Sequence, residues 1–373
     1  MAKKSILLIF LLLAGFLTLQ AAWTQKRLTT NAGDSNSPDL AVDGSNVYVI
    51  WSDNTWGNHE ICFEKSADGG TTWNSAEMLS NNSEDAYDPA IAVSSSNVYA
   101  VWIDNYNLYF RKSANGGTTW QTVKKINDEA GAVCTSIAVS GANIYLAWGD
   151  GHGTYFKKSA DGGSKWQTVQ IQYYEGTEEC GGVKIAACGA NIYMVWWMWD
   201  YNMIFQISCI NFAKSSNGGT TWTIEYPVGS RSYGAVSMPS IVVNGSNVFV
   251  FYVNYNLGHD MIYFKKSADD GASWTTAKRL TSNLGNSIEP SITVNNLKIY
   301  VVYSYYITPR NTEIYFKKSA NRGTSWPTTK RLTNYKGYSL APKIAVSKSK
   351  IFVVWYDNTS GNNDIYLKYS PLI

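Results

Sequence analysis

One short stretch is written into this chain six times. Lys65-Ser66-Ala67-Asp68-Gly69-Gly70-Thr71-Thr72-Trp73 returns at Ser113 to Trp120, Ser159 to Trp166, Ser215 to Trp222, Ser267 to Trp274 and Ser319 to Trp326. By subtraction, the closing tryptophans Trp73, Trp120, Trp166, Trp222, Trp274 and Trp326 stand 47, 46, 56, 52 and 52 residues apart. A recurring period of this size, in units rich in β-branched and aromatic residues, specifies a repeat fold. The third position reads Asp68, Asn115, Asp161, Asn217, Asp269 and Asn321. A side-chain oxygen there can accept the N–H groups of the turn that follows, and Gly supplies the positive φ. Each Trp is expected to fold back beneath its hairpin, with its indole N–H on a local acceptor. Asn can cap a turn but cannot act as an acid or base, so the stretch is a folding device.

Four strand-like runs repeat around it. The first is Pro38 to Val42, with Pro89 to Val93, Pro239 to Val243, Pro290 to Val294 and Pro342 to Val346 as copies. The second is Asn46 to Trp51, the third Ile61 to Lys65, and the fourth is clearest in Lys278 to Thr281 and Lys330 to Thr333. Alternating Val, Ile, Tyr and Phe, punctuated by Asp, Asn, Gly and Ser, suit antiparallel strands. The chain after the sixth stretch holds three strands only, and Lys26-Arg27-Leu28-Thr29 matches Lys330-Arg331-Leu332-Thr333. The N-terminal segment therefore supplies the missing fourth strand. The expected fold is all-β, a seven-bladed β-propeller of four-stranded blades spanning 23–373 and closed by that strand.

The pattern Ser-x-Asp-x-Gly-x-Thr-Trp resembles the Asp-box, or BNR repeat, of the sialidase superfamily and related β-propellers. The resemblance covers nearly the whole of 23–373, and its specific motifs are the boxes. It implies an active site on the face without boxes. A sialidase further implies three arginines on the substrate carboxylate, usually with an early Arg-Ile-Pro. The matching strand here begins Ser37-Pro38-Asp39, and only Arg231 and Arg310 fall on the expected face. Sialidases are typically six-bladed, so seven blades is a further departure. Membership of the superfamily is expected without the sialidase activity.

Residues 1–22 read as a signal peptide: Lys3-Lys4, an apolar run from Ile6 to Leu19, and Ala21-Ala22 before Trp23. The run is short for a membrane span, so a secreted or extracytoplasmic, cell-surface location is expected, with no membrane span after cleavage. The net charge of +3 falls to +1 without Lys3 and Lys4, which gives no field to draw nucleic acid. No His or Cys cluster has metal-site spacing, and no cofactor or metal is expected. Of the five cysteines, Cys134 and Cys180 fall near the starts of strand one in adjacent blades, so one bridge between them is the expected pairing.

The loops from strand two to three and from strand four to one share the face without boxes. They hold nineteen of the twenty-eight carboxylates, fourteen aromatic residues and all three histidines. Asp53, Asp104, Asp150 and Asp357 recur at one loop position, and Glu60, Asp260, Glu313 and Asp364 at another, which marks them as architectural. The non-recurring residues form the candidate binding set: Trp56, His59, Tyr87, His152, Trp197, Trp199, Tyr201, Arg231, His259 and Arg310. Blade four departs most, with Trp196 to Met203 extending a hairpin through Cys209. The position before the strand-one Pro reads Ser37, Asp88, Cys134, Gly182, Met238, Glu289 and Ala341, so Asp88 and Glu289 are expected to face each other across the channel mouth. Three functions follow. The acidic, aromatic face binds a neutral glycan or an extracellular or cell-surface protein. Alternatively the two carboxylates, Asp88 and Glu289, hydrolyse a glycoside, their separation setting the stereochemistry. The third is a purely structural role.

Overall fold

The computed structural model describes residues 22–372, apart from 82–83, 129–130, 152, 174–177, 201–206, 234–235, 257 and 283–284. All but the last residue of the expected signal segment thus lie outside the described residues. Seven four-stranded antiparallel sheets form a seven-bladed β-propeller. Blades one to six span 35–78, 86–125, 134–173, 178–233, 236–279 and 287–331; blade seven joins 339–371 to the N-terminal strand Thr24–Arg27. No helix among the described residues is long and apolar enough to cross a membrane.

Strand two of each blade is apolar on both faces because it packs between two neighbours. In blade one Val47, Tyr48, Val49, Ile50 and Trp51 are all buried. Tyr48, Ile50 and Phe63 join Ile91, Val98, Ala100 and Trp102 of blade two in one core, and a similar core fills each boundary between blades.

The repeated turn closes as the sequence chemistry dictates. Ser66 donates to Asp68 Oδ1 at 2.8 Å, and Asp68 accepts the N–H groups of Thr71 at 3.0 Å and Thr72 at 2.9 Å. Asn115 reproduces this with Thr118 and Thr119 at 3.2 and 2.9 Å, so an amide oxygen suffices. The closing Trp behaves otherwise than expected. It packs on the preceding blade, edge-on to the third-strand Phe: Phe63 with Trp120, Phe110 with Trp166, Phe156 with Trp222, Phe212 with Trp274 and Phe264 with Trp326, at centroid distances of 4.9 to 5.6 Å. Trp73 joins the core that blade one shares with blade seven. The second Gly of the turn permits this approach. A Cβ on Gly117, at φ 72°, would lie 2.5 Å from the Phe63 ring. Two indole N–H groups, on Trp73 and Trp222, reach the Gly70 and Gly219 carbonyls at 3.1 Å. Those of Trp120, Trp166, Trp274 and Trp326 have no hydrogen-bond partner among the described residues, so the expected local acceptor holds for only two of the six. The turn is a staple between blades rather than within one.

The N-terminal segment copies blade six in detail. Arg27 donates to Asp364 at 2.5 Å and to the Thr29 carbonyl at 2.8 Å, as Arg331 does to Glu313 at 2.6 Å and the Thr333 carbonyl at 2.7 Å. Thr29 Oγ1 accepts from Ile365 N as Thr333 Oγ1 accepts from Ile314 N, both at 2.8 Å. At the boundary between blades six and seven, Trp23 takes the place that the repeated tryptophan holds elsewhere, 5.5 Å from Phe316 at an interplanar angle of 68°. The segment thus brings both strand and staple.

Strand one bulges where it reaches the central channel. Ser37, Asp88, Gly182, Met238, Glu289 and Ala341 all have φ between 48° and 59°, and the pairing with strand two slips there. Cys134 is the exception. Its strand pairs without a break, Cys134 opposite Gly149, so it does not occupy the bulge that the alignment implies. All five cysteines are free. The expected Cys134–Cys180 bridge is absent because the Cys180 thiol points to the Gly153 carbonyl at 3.3 Å and the Thr154 hydroxyl at 3.8 Å.

Candidate functional site

The recurring acidic residues are absorbed by the framework. Fully buried Asp53 accepts from Ser35 at 2.7 Å, Asn31 at 2.7 Å, Thr55 N at 3.0 Å and the Trp51 indole at 3.1 Å. Burial works to raise its carboxyl, but the bonds from Thr55, Ser35 and Asn31 outweigh it and hold it below the usual range. Asp357 accepts from Ser339 at 2.5 Å and Thr359 N at 2.9 Å. Asp150 takes Gly153 N at 2.6 Å and the Tyr155 hydroxyl at 2.7 Å. Among the described residues, no three His, Cys, Asp or Glu side chains converge to hold a metal.

At the channel mouth the two non-recurring carboxylates play matching parts. Asp88 accepts Thr135 N of blade three at 2.7 Å, and Glu289 accepts Ala341 N of blade seven and the Ser304 hydroxyl, both at 2.8 Å. Each clamps its blade to the next. Asp88 lines the channel cavity. Pro290 and Ser291, next to Glu289, line the same cavity, and Glu289 lies within the electrostatic reach of Tyr306 and Tyr356. The tyrosines beside them are pushed away from ionisation. Burial, then Tyr106 and Asp88, raises Tyr87; burial, then Glu289, raises Tyr306; burial and Glu289 push Tyr356 up to about 12. At neutral pH these phenols are hydrogen-bond donors and poor nucleophiles.

The candidate binding residues divide by placement. Trp56 stands 55% exposed at the tip of the 54–57 turn, which Gly57 N closes onto the Asn54 carbonyl at 3.0 Å. His59 Nδ1 lies 3.1 Å from the Ser52 hydroxyl, and the His59 backbone N–H donates to Asp85 Oδ1 at 2.7 Å. Tyr87 packs against the core between blades two and three. His259 and Arg310 lie at hairpin ends on the same face, and Arg310 is exposed. Burial raises the Asp260 carboxyl above its usual range, with His259 opposing. Trp197 is no platform: it covers the Gly181-Gly182 bulge, where an added Cβ would be 2.7 Å from its ring, and joins the core with blade five. Met198 beside it is buried, and Trp199 is half-buried opposite Glu179 and Ser208. The described part of the blade-four hairpin packs against both neighbouring blades, Met198 and Cys209 towards blade three and Trp197 towards blade five. His152, Tyr201 and the side chain of Arg231 lie outside the described residues.

Two residues that the binding set omits share the face with Trp56. Tyr106 is 55% exposed and Tyr255 is 47% exposed, on the two-to-three loops of blades two and five. Asn105 and Tyr106 form a tight hairpin turn with φ of 45° and 59°. Positive φ at both central residues is what a two-residue hairpin between right-handed twisted strands requires, and here it carries Tyr106 at the tip. Among fourteen loop aromatics, only exposure separates these from packed neighbours such as Tyr305, which sits edge-on to Tyr315 at 5.1 Å.

No protein-family model and no curated protein sequence matches the chain. Solved structures do. An ulvan lyase of polysaccharide lyase family PL25 superposes with a TM-score of 0.64 at 10% identity, covering 92% of this chain and 95% of its own. A protein of unknown function from Dyadobacter fermentans gives 0.59 at 14% identity, covering 94% and 99%. The NanB sialidase of Streptococcus pneumoniae gives 0.51 at 12% identity, covering 76% and 67%. The chain shares the β-propeller fold of these structures. At such identities the likeness carries the architecture and no catalytic residue.

Proposed function

We propose that this sialidase-like propeller is an exported module that binds neutral glycan, using the face opposite the staples. We read the repeated turns as Asp-boxes. The observation that carries the proposal is the display of Trp56, Tyr106 and Tyr255, the most exposed large aromatics among the described residues, all on that face. Sugar rings stack on such surfaces through their C–H faces, and flanking carboxylates accept hydroxyl hydrogen bonds. The acid-rich loops disfavour an anionic sugar. The carbohydrate-active names among similar propellers agree with a saccharide ligand. Asp88 and Glu289 serve as interblade clamps, each accepting a backbone N–H of the next blade, which favours binding over nucleophilic hydrolysis.

The expected outcome is that Trp56→Ala and Tyr106→Ala each weaken binding to an array-identified neutral glycan by about 1–3 kcal/mol. Asp88→Asn and Glu289→Gln should change it little. Titration calorimetry on folded variants measures this, beside a reducing-end release assay. Hydrolysis by the unmodified chain that falls by several powers of ten in Glu289→Gln would replace the binding reading with the hydrolase.

A further inference from the structure

The positions of the displayed aromatics on the ring restrict what can touch them together. The inner strand of each blade packs against those of the blades before and after it, and blade seven against blade one, so the blades follow sequence order around the channel. Trp56 and Tyr106 stand at the two-to-three turns of blades one and two, which are neighbours, and Tyr255 at that of blade five. Blade five is reached from blade two through three and four, and from blade one through seven and six. In a ring of seven sheets, Tyr255 therefore lies diametrically opposite the boundary between Trp56 and Tyr106. Seven sheets packed about 10 Å apart at mid-blade close a circle about 20 Å across. The channel mouth lies between the two aromatic stations.

The surface along that diameter suits an uncharged chain. The bulges of blades one and five present Ser37 and Met238 at the mouth, and Met238 is 41% exposed. Exposed Asp85 adjoins the Trp56 turn through its bond with the His59 N–H, while Asn105 precedes Tyr106 and Asn256 follows Tyr255, both exposed. These carboxylate and amide groups hydrogen-bond hydroxyls without adding a cation. The turns of blades six and seven, at Ile307 to Arg310 and Asn358 to Asn363, display no exposed aromatic. A site for a chain terminus gathers its stacking groups around one point. Here a single sugar can reach one station only.

We propose that the glycan is an unbranched neutral polysaccharide held by an internal segment, which crosses the channel mouth from the Trp56–Tyr106 station to Tyr255. This rests on the glycan-binding reading and narrows it to a class of ligand. A short oligomer stacks on one station. A chain long enough to reach both makes its second contact as an intramolecular event, so affinity climbs with length until the mouth is spanned. The chain ends lie beyond the stations and are not recognised.

Soluble unbranched glucans, mannans, xylans and galactans, with their oligomers from dimer to octamer, are the probes, and titration calorimetry reads the affinities. For the polysaccharide that binds, the octamer should bind about tenfold or more tighter than the trimer. Octamers methylated at both terminal residues should bind as tightly as free ones. Tyr255→Ala, at an exposed turn, should bring the octamer down to about the trimer's affinity and leave the trimer almost unchanged. Melting curves confirm that the variant is folded. A trimer that binds as tightly as the octamer overturns the proposal, as does binding lost on capping the ends or a length dependence that survives Tyr255→Ala. Each of these leaves the glycan-binding reading in place. A chain that binds none of the polysaccharides overturns that reading, and this inference with it.

Discussion

Removing residues 23–30 is expected to abolish cooperative folding. The deletion takes away Trp23 from Phe316, Leu28 from the core between blades seven and one, and Arg27 from Asp364, whose side chain is fully buried. Truncating a packed Trp costs about 3–5 kcal/mol, and stranding a buried carboxylate costs about the same again. Their sum is comparable to the whole stability of a typical domain, about 5–15 kcal/mol. The third strand of blade seven, Asp364–Pro371, would also be left as an open edge, a template for aggregation. Circular dichroism melts and size-exclusion profiles check this, and a synthetic peptide of residues 22–31 should restore the transition. A truncated chain that melts within a few degrees of the intact one would show that the ring does not depend on this closure.

The same seam should make stability fall as pH rises towards neutrality. In strand three, one position carries Arg111, Lys157, Lys265, Lys317 and Lys368 in other blades. Arg111 caps the Leu79 carbonyl at 2.8 Å and Lys157 the Ile126 carbonyl at 2.5 Å, each at the end of the preceding blade's fourth strand. Blade one has Glu64 there, beside the N-terminal strand, and a carboxylate cannot donate. Burial pushes Glu64 up to about 7 from 4.5, with Lys26 opposing. A group raised on folding favours the native state fully below its unfolded pKa, and that advantage is lost as pH climbs to the folded value. The window is therefore pH 4.5 to about 7. A shift of this size is worth about 3 kcal/mol. Glu64→Gln should remove that part of the slope and raise the melting temperature at pH 8 relative to the unmodified chain. Parallel pH–stability curves for the two proteins would dismiss the idea.

The blades were legible because the turn repeats its capping chemistry in sequence, and the seam because Lys26 to Thr29 copies Lys330 to Thr333 residue for residue. The reach of each Trp into the preceding blade was not legible, since a period shows what recurs and not which neighbour it touches. Trp23 lacks the Ser-x-Asp context that marks the other six, so its role as a seventh staple appears only in space. Cys134 misled for the opposite reason. It aligns with the bulge residues but lies in a strand that pairs without a bulge. Exposure separates Trp56 and Tyr106 from Trp197, and composition alone cannot supply it.

Closure by the N-terminal segment also sets an order of events in time. Arg27 and Asp364 are 337 positions apart, so the first strand to be synthesised is the last to find its neighbour. At about 5–20 residues per second, the segment waits roughly 20–70 seconds for its partner to exist. Throughout that interval the N-terminal strand and one edge of the growing sheet stack have no mate, although each completed blade can already dock on the one before it. The molecule assembles like a row of leaves that must curl through a full turn before it can fasten. Its vulnerability to misassembly is concentrated in that final step, and a protective chaperone contact would have most effect there.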